Sequence, residues 1–100
     1  MAAGYTFEWD PEKARTNLRK HGVSFEQATE VFRDPMMLTI YDEEHSTAEE
    51  DRWITMGAVE GILVVVHTFV ELDEDEVLIR IISARPATKR EAGQYHEEHR

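Results

Sequence analysis

One apolar segment near the middle of the chain constrains the fold more than any other feature. Residues 61–66 are Gly-Ile-Leu-Val-Val-Val, so a strand formed here is apolar on both of its faces. Such a strand is expected in the middle of a sheet. The preceding segment, Arg52–Ala58, is also strand-like, and Val59-Glu60-Gly61 predicts a tight hairpin in which the glycine supplies a positive φ.

Three further segments have strand character: Tyr5–Trp9, Met36–Tyr41 and Val77–Arg85. We expect the strand that begins at Ile62 to continue to Val70. The connections between neighbouring strands are short, which favours antiparallel pairing. The strand pattern therefore predicts a small antiparallel sheet.

Helix start and stop signals flank these strands. Asp10-Pro11 supplies an N-cap and a proline at the first helical position, and we expect this helix to run to about His21 and to end at Gly22. A capping box, Ser24-Phe-Glu-Gln27, opens a second helix that ends at Asp34-Pro35.

A second capping box, Thr88-Lys-Arg-Glu91, opens a C-terminal helix with Ala92, Tyr95 and His99 on one face. The predicted order is thus β-α-α-β-β-β-β-α. This order predicts an α+β fold in which two N-terminal helices and one C-terminal helix pack on the sheet. Because the sequence has no internal repeat and no linker-like segment, we expect a single domain over residues 1–100.

Composition excludes several classes of protein. Cysteine is absent, which excludes a disulfide framework, a thiolate zinc site and a cysteine nucleophile, and we expect neither a metal nor a cofactor. The longest apolar run, Ile62–Val66, is far shorter than the ~20 residues of a membrane helix. Glu8 and Asp10 occur where a secretion signal would need an apolar stretch. We therefore expect a cytoplasmic protein that contacts no membrane.

The charge distribution is two-sided. The 11 Lys and Arg against 21 Asp and Glu give a net charge of −10, which argues against a passive nucleic-acid binder because phosphate contacts need clustered cations. Over half of the acidic residues fall in segments 42–51 and 71–76. Basic residues form two clusters elsewhere: Lys13, Arg15, Arg19, Lys20 and His21, and Arg80, Arg85, Lys89 and Arg90.

Four segments carry a further signal because of their order along the chain. They are Phe7-Glu-Trp-Asp10 with Lys13 and Asn17, Lys20-His-Gly-Val23 with Phe25 and Ala28, Arg52-Trp-Ile-Thr-Met-Gly57, and Arg80-Ile-Ile-Ser-Ala-Arg85 with Ala87, Glu91 and Tyr95. Together they resemble the BrnT toxins, the ribonuclease half of bacterial type II toxin–antitoxin pairs. The resemblance spans residues 7–95, nearly the whole chain.

The resemblance implies both a fold and an activity. It implies a RelE-like fold, metal-independent cleavage of RNA, growth arrest, and neutralisation by a BrnA antitoxin. That antitoxin carries a ribbon-helix-helix DNA-binding domain, and the complex represses its own operon. The protein would therefore contact RNA as substrate, and DNA only indirectly through the antitoxin.

His21 is the first candidate for proton transfer. RNA cleavage without a metal proceeds by attack of the 2′-OH on the adjacent phosphorus, which is helped by a base, by cations near the phosphorane and by an acid for the departing 5′ oxygen. An unperturbed histidine titrates near neutrality, and His21 lies in the Lys-His-Gly segment of the resemblance. The alternative is a partner for the helix dipole that has no chemical role.

Lys13 and Arg52 are candidates for binding the scissile phosphate. Lys13 lies two turns before His21 on the predicted helix, about 80° away around the helix axis. Arg52 opens a strand and could bind a phosphate through two hydrogen bonds. The alternatives are a solvated helix charge for Lys13 and an ion pair with Asp51 or Glu50 for Arg52.

Arg85 is a further candidate for the phosphate, and Arg80 is a candidate RNA contact. The two arginines lie five residues apart on one predicted strand, so they should point to opposite faces unless a bulge reorients the second. The alternative for Arg80 is a structural ion pair, because an arginine within an apolar strand needs a partner.

Four more cations are candidate RNA contacts. Arg19 and Lys20 lie at the end of the first predicted helix, and Lys89 and Arg90 lie at the start of the last. Cations at a helix start oppose the dipole, and a protein tolerates them more readily when an anion binds there. This position favours a phosphate path near residues 85–90.

Other conspicuous residues favour structural roles. His67 lies in an apolar strand and is expected to be a hydrogen-bonded core histidine. His96 and His99 are spaced i, i+3 and do not match the zincin pattern, so no metal site is predicted. We expect Trp9 and Trp53 to be mostly buried rather than to stack on bases.

The leading functional hypothesis is therefore a BrnT-like endoribonuclease toxin. An alternative is an antitoxin-binding co-repressor with little or no nuclease activity, which the net charge of −10 favours. A stand-alone interaction module is a third possibility. We expect the acidic segments to lie away from the RNA site, either as solvated loops or as attractants for a basic antitoxin segment.

Overall fold

The computed structural model of the protein describes residues 4–98. Within them lie five strands: β1 (Gly4–Glu8), β2 (Leu38–Tyr41), β3 (Trp53–Ala58), β4 (Ile62–Asp73) and β5 (Glu76–Pro86). The helices are α1 (Pro11–His21), α2 (Phe25–Thr29), a 3-10 helix (Glu30–Arg33) and α3 (Lys89–Glu98). The predicted α+β class and element order are confirmed. No helix within residues 4–98 is long and apolar enough to cross a membrane.

The five strands form one mixed sheet in the order β1-β5-β4-β3-β2. Strands β2 to β5 pair antiparallel with their neighbours, as their short connections predict. β1 is the exception, because it pairs parallel with β5, with Gly4 opposite Glu76 and Glu8 opposite Arg80. Short connections favour antiparallel pairing only between strands that follow each other directly, and β1 and β5 lie near opposite ends of the chain.

Helices cover both faces of the sheet. The helical face lies against α1, α2 and the 3-10 helix, and together they enclose the larger core: Val23, Phe25, Ala28, Val31, Phe32, Leu63, Val65, Ile79, Ile81 and Ala84. The other face, which we call the open face, packs against α3 through a smaller core of Met56, Val64 and Tyr95. The apolar strand predicted to be central is β4, which lies third of the five strands and contributes to both cores.

Local capping interactions define α1. The Asp10 side chain accepts a hydrogen bond from the Glu12 N–H (2.9 Å), and Pro11 occupies the first turn. At the other end Gly22 has a φ of 71°, and its N–H donates to the Leu18 carbonyl (2.8 Å). Both caps were predicted from the sequence, and they fix α1 at the predicted boundaries.

The second helix is shorter than predicted. The capping box of Ser24 and Gln27 is present, but the α-helix ends at Thr29 and continues as the 3-10 helix to the predicted end. In this 3-10 helix Val31 packs against Gly57 of β3. A Cβ on Gly57 would lie 2.8 Å from Val31 Cγ1 and 2.9 Å from the Val31 carbonyl oxygen, so this close approach requires glycine.

Segment 71–76 is not a loop. β4 continues three residues past the predicted end at Val70 to Asp73, and β5 begins at Glu76, with a two-residue turn between them. The sequence gives little sign of a strand here, because Leu72 is the one apolar residue among acidic side chains and the apolar–polar alternation of a strand is lost. The acidic segment therefore forms the tip of a long hairpin.

A β-bulge interrupts β5 at Ile82. Val66 of β4 pairs with Ser83 and His67 pairs with Ile81, which leaves Ile82 as the extra residue. The bulge changes the alternation of the strand, since Ile81 and Ala84 both lie in the larger core although they are three residues apart.

Asp34 joins three elements at one end of the sheet. Its Oδ2 accepts hydrogen bonds from the Tyr95 hydroxyl of α3 and from the Ala58 N–H at the end of β3 (2.8 Å). Its Oδ1 accepts from the Met36 N–H (2.8 Å). The hydrogen bond to this carboxylate raises the pKa of Tyr95 to about 12. Asp34 thus ties α3 to the opposite layer.

Candidate functional site

A shallow cleft runs between α1 and the bulged part of β5. Its volume is about 290 Å³, and its lining residues are Glu12, Lys13, Thr16, Asn17, Lys20, His21, Ile82 and Ser83. We call it the α1 cleft. Of the residues singled out from the sequence, it brings together Lys13, Lys20 and His21.

Asn17 attaches α1 to β5. Its Nδ2 donates to the carbonyl oxygens of Val23 (2.9 Å) and Ala84 (2.7 Å), and its Oδ1 accepts from the Ala84 N–H (3.1 Å). β1 pairs with β5 only as far as Arg80, so Asn17 satisfies backbone groups on the edge that β1 leaves open. This buried anchor fixes the side of α1 that carries the cleft cations.

The cations of the α1 cleft are available to a ligand. Among residues 4–98, Lys13, Lys20 and His21 have no ion-pair partner. Glu12 also lines the cleft, but its carboxylate is paired with Arg15. His21 is half-buried at the end of the helix. The arrangement can bind an anion through two lysines beside an imidazole, the side chain that serves most often in general acid–base catalysis.

The bulge brings Arg80 and Arg85 to the same face of the sheet. Arg85 lies opposite Val64 and Arg80 lies opposite Thr68, and these two β4 residues share the open face. A regular strand would have placed the two arginines on opposite faces, and the extra residue, Ile82, is the reorienting bulge allowed for in the sequence analysis.

Arg85 is engaged by α3 rather than by the cleft. Its guanidinium donates two hydrogen bonds to the Glu91 carboxylate, at 2.7 and 2.8 Å. The same carboxylate accepts from the Thr88 N–H (2.9 Å) and so completes the predicted capping box. The hydrogen bonds from Arg85 are the main cause of a Glu91 pKa of about 2, and the carboxylate in turn raises the pKa of Arg85.

Arg52 and Arg80 are also paired. Arg52 Nε lies 3.1 Å from Glu50 Oε1, and Arg80 Nη1 lies 3.1 Å from Glu8 Oε2. These are the ion pairs that the sequence analysis gave as the alternatives to RNA binding. Arg52 precedes β3, two strands and roughly 10 Å from β5. Neither Arg52 nor Arg85 lines the α1 cleft, so the predicted grouping of both with His21 and Lys13 is not present.

The remaining cations lie on the surface. Lys89 and Arg90 are exposed in the first turn of α3, and Arg19 is exposed on α1 outside the cleft. The start of α3 holds an anion of its own, the Glu91 carboxylate. The anion that favours cations at this helix start is therefore already supplied by Glu91, and the phosphate path near residues 85–90 stays a prediction.

His67 is a core residue, as predicted. It is 1% exposed, its Nε2 lies 2.7 Å from Thr55 Oγ1, and its Nδ1 lies 3.2 Å from the Thr68 carbonyl. Burial lowers the pKa of this imidazole to about 4, so it is neutral at physiological pH. His96 is exposed on α3, and His99 lies outside the described residues.

The two tryptophans are only half-buried. Trp9 packs edge-on against Phe25 of the larger core, with ring centroids 5.8 Å apart. Trp53 lies between the partly exposed rings of Tyr41 and Phe69 on the helical face.

One described group could supply ligands to a metal ion. Ligand atoms of Asp42, Glu44 and His45 lie within 4.8 Å of one another. Asp42 is 4% exposed and its Oδ2 lies 2.7 Å from His45 Nδ1, so this carboxylate already has a structural role in the first acidic segment.

The family of the chain follows from comparison with known proteins. A family model described as "Ribonuclease toxin, BrnT, of type II toxin-antitoxin system" matches residues 9–91. The chain belongs to the BrnT family. The match includes every residue of the α1 cleft together with Arg52, Arg80 and Arg85. The family resemblance found in the sequence is thereby confirmed.

A solved BrnT structure has the same fold. The crystal structure of the ribonuclease toxin BrnT from Brucella abortus matches with a TM-score of 0.59 and 25% sequence identity. The alignment covers 86% of this chain and 100% of the Brucella chain. No curated protein sequence gives a significant match.

Reasoning from the sequence of this BrnT chain found the cations and missed the groups that position them. Asn17 was noted as part of a motif, without its anchoring role. One signal was present, because asparagine is unfavourable within a helix unless its side chain has a specific partner. The positions of Ser83 and the bulge depend on pairing with β4, which the sequence of β5 alone does not reveal.

Proposed function

We propose that this BrnT protein is a metal-independent endoribonuclease toxin whose catalytic centre is the α1 cleft. Family membership supports a ribonuclease toxin of a type II system. The observation that carries the location is the cleft itself, in which a half-buried histidine adjoins two lysines that have no carboxylate partner among residues 4–98. We treat residues 1–100 as one toxin domain.

The proposed reaction is an internal transesterification. The RNA 2′-OH attacks the adjacent phosphorus, the bond from phosphorus to the 5′ oxygen breaks, and the products end in a 2′,3′-cyclic phosphate and a 5′-OH. Neutral His21 accepts the 2′ proton, and a proton from solvent completes the departing 5′ oxygen. Such proton transfer contributes about 10²–10⁴-fold to a rate.

Lys13 and Lys20 supply the positive charge that the phosphorane requires. Both lysines line the same cleft as His21, and charge placed beforehand at a developing anion is a large contribution to catalysis. The neighbouring Arg19 extends the cationic surface along the RNA.

Three arginines outside the α1 cleft have a secondary role in this proposal. Arg52, Arg80 and Arg85 each hold a carboxylate, so each must share or exchange that partner before it contacts a phosphate. Lys89 and Arg90 lie beyond Arg85 and would contact more distant phosphates of the same strand.

A protein antitoxin completes the proposed system. We propose a BrnA-like antitoxin with a ribbon-helix-helix domain, so that the toxin approaches DNA only through its partner. The activity belongs in the cytoplasm, where RNA and antitoxin are made.

Cleavage of a 5′-labelled RNA in EDTA tests the proposal. The wild type should produce fragments with cyclic phosphate ends, and His21→Ala should not. A matched control is His96→Ala, which removes an exposed histidine of α3 and should cleave like the wild type. Cleavage that requires an added divalent metal, or equal cleavage by both variants, would contradict it.

The second candidate function is an antitoxin-binding co-repressor with little nuclease activity. Its support is the pairing of Arg52, Arg80 and Arg85 with carboxylates, together with the net charge of −10. Tight binding of the antitoxin without RNA cleavage at any enzyme concentration would favour it.

A further inference from the structure

Partly exposed aromatic rings cover one part of the helical face. Trp53 packs against Tyr41 and Phe69 with ring centroids 5.3 and 5.5 Å away. Tyr5 packs against Phe32 of the larger core at 5.5 Å. Tyr5, Tyr41 and Phe69 are 39%, 43% and 39% exposed. We call Tyr5, Tyr41, Trp53 and Phe69 the aromatic surface.

A small apolar cavity opens within this surface. Its volume is about 180 Å³, and it is lined by Tyr5, Phe32, Met37, Thr39, His67, Phe69, Val77 and Ile79. Pockets for small-molecule ligands usually measure about 300–1,000 Å³, so this one suits a single apolar side chain. His67 adds no charge to it, because burial lowers the pKa of its imidazole to about 4.

Carboxylates border the aromatic surface on two sides. The Tyr41 hydroxyl donates to Asp51 Oδ1 at 3.1 Å. Glu71 lies two residues after Phe69, hence on the same face, and opposite Val77 of the cavity. Both carboxylates are exposed. A ligand in the cavity would therefore have a negative charge on either side.

The charge of the surrounding segment indicates which kind of molecule binds at the aromatic surface. Residues 34–79 contain 13 Asp and Glu against one Lys or Arg. RNA phosphates would be repelled here, although the rings alone would suit bases. A second copy of the chain would place the same acidic segment against itself. A cationic polypeptide is the occupant that the field attracts. Arg33 lines an adjoining cleft, which shares Tyr5 and Phe32 with the cavity but does not include Phe69.

We propose that the aromatic surface binds a cationic, amphipathic segment of the antitoxin, which places one apolar side chain in the cavity and Lys or Arg beside Asp51 and Glu71. The inference rests on the proposed toxin–antitoxin function and names the surface and the chemistry of the partner segment. The α1 cleft shares no lining residue with this cavity, so binding and catalysis can be tested separately.

The experiment measures binding of the polypeptide encoded by the reading frame next to this gene. Phe69→Ser should raise the Kd at least tenfold, and Glu71→Lys should raise it several-fold with a smaller salt dependence. Glu60→Lys is the matched control, because it makes the same charge change in the exposed turn before β4, at the other end from Glu71, and should bind like the wild type. Cleavage of RNA without antitoxin should be unchanged in all three.

Several results would overturn the proposal. One is wild-type affinity for the antitoxin in both Phe69→Ser and Glu71→Lys, and another is equal weakening of antitoxin binding by Glu71→Lys and Glu60→Lys. A third is a Phe69→Ser variant that loses RNA binding but keeps antitoxin binding. A fourth is a wild-type dimer that Phe69→Ser dissociates. If Phe69→Ser fails to fold in thermal melts, the two charge variants still decide. Absence of RNA cleavage by the wild type would contradict the proposed nuclease without affecting this measurement.

Discussion

The cations that line the α1 cleft differ from the arginines outside it in whether they have carboxylate partners. Lys13, Lys20 and His21 are without ion-pair partners among residues 4–98, whereas Arg52, Arg80 and Arg85 each hold a glutamate. The cleft cations lack carboxylate partners within residues 4–98 because Glu12, the one acidic residue that lines the cleft, is already paired with Arg15. Charge in the sequence therefore does not identify a binding residue until its partner is known.

The largest effect that separates the two regions should come from His21→Ala. We expect RNA cleavage to fall by about 10²–10⁴-fold, because the proton-transfer group is removed. The unfolding temperature should stay at the wild-type value, since His21 holds no partner within residues 4–98. Single-turnover cleavage and a thermal melt measure the two effects, and a variant that melts early but cleaves normally would reverse the assignment.

Asn17→Ala should produce the next effect, on stability. It removes three hydrogen bonds and leaves the Ala84 N–H and carbonyl without their partner, at about 1–3 kcal/mol for a buried unsatisfied group. Urea denaturation measures the loss. Thr16→Ala, an exposed neighbour on the same helix, is the control and should remain within about 0.5 kcal/mol of the wild type. Equal stability of the two variants would mean that α1 is held by packing alone.

Lys13→Ala should weaken RNA binding modestly and reduce its salt dependence. Loss of one phosphate contact on a single strand lowers the slope of log K against log salt by about 0.7. Arg33→Ala removes the same charge from an exposed arginine that does not line the α1 cleft, and should leave the slope unchanged. Titrations of an uncleavable RNA at several salt concentrations check this, and equal slopes would place the phosphate elsewhere.

The smallest effect concerns the pH dependence of the Arg85–Glu91 pair. The folded-state pKa of Glu91, about 2, lies below its ordinary value of 4.5, so its stabilisation is complete above pH 4.5 and is lost as the pH falls towards 2. The pair is partly exposed, so we expect less than about 1 kcal/mol. Glu91→Gln should flatten this part of the stability curve, measured by urea denaturation at pH 7 and pH 3. Glu60→Gln should not.

Local signals predicted most of the fold. The caps at Asp10 and Ser24 predicted where α1 and α2 start, and Gly22 predicted where α1 ends, because capping depends on neighbouring residues. The parallel pairing of β1 and the extension of β4 to Asp73 were not predicted, since both depend on partners distant in sequence. Tertiary pairing decides such features.

The candidate site was predictable only in part. Its cations stand out in the sequence, and helical spacing brought Lys13 and His21 to neighbouring positions on α1. The bulge at Ile82 and the pairing of Arg85 with Glu91 determine which cations are available. Neither follows from periodicity, because the bulge depends on the register of β5 against β4 and the ion pair depends on how α3 packs on the sheet.

A nuclear magnetic resonance titration with a 2′-O-methyl RNA tests the central assignment most directly, because this RNA lacks the attacking hydroxyl and stays intact. Binding at the α1 cleft predicts shifts in the side-chain resonances of Lys13, Lys20 and His21, with those of Phe69 unchanged. Shifts confined to Arg85 and its open-face neighbours, with His21 unaffected, would contradict it.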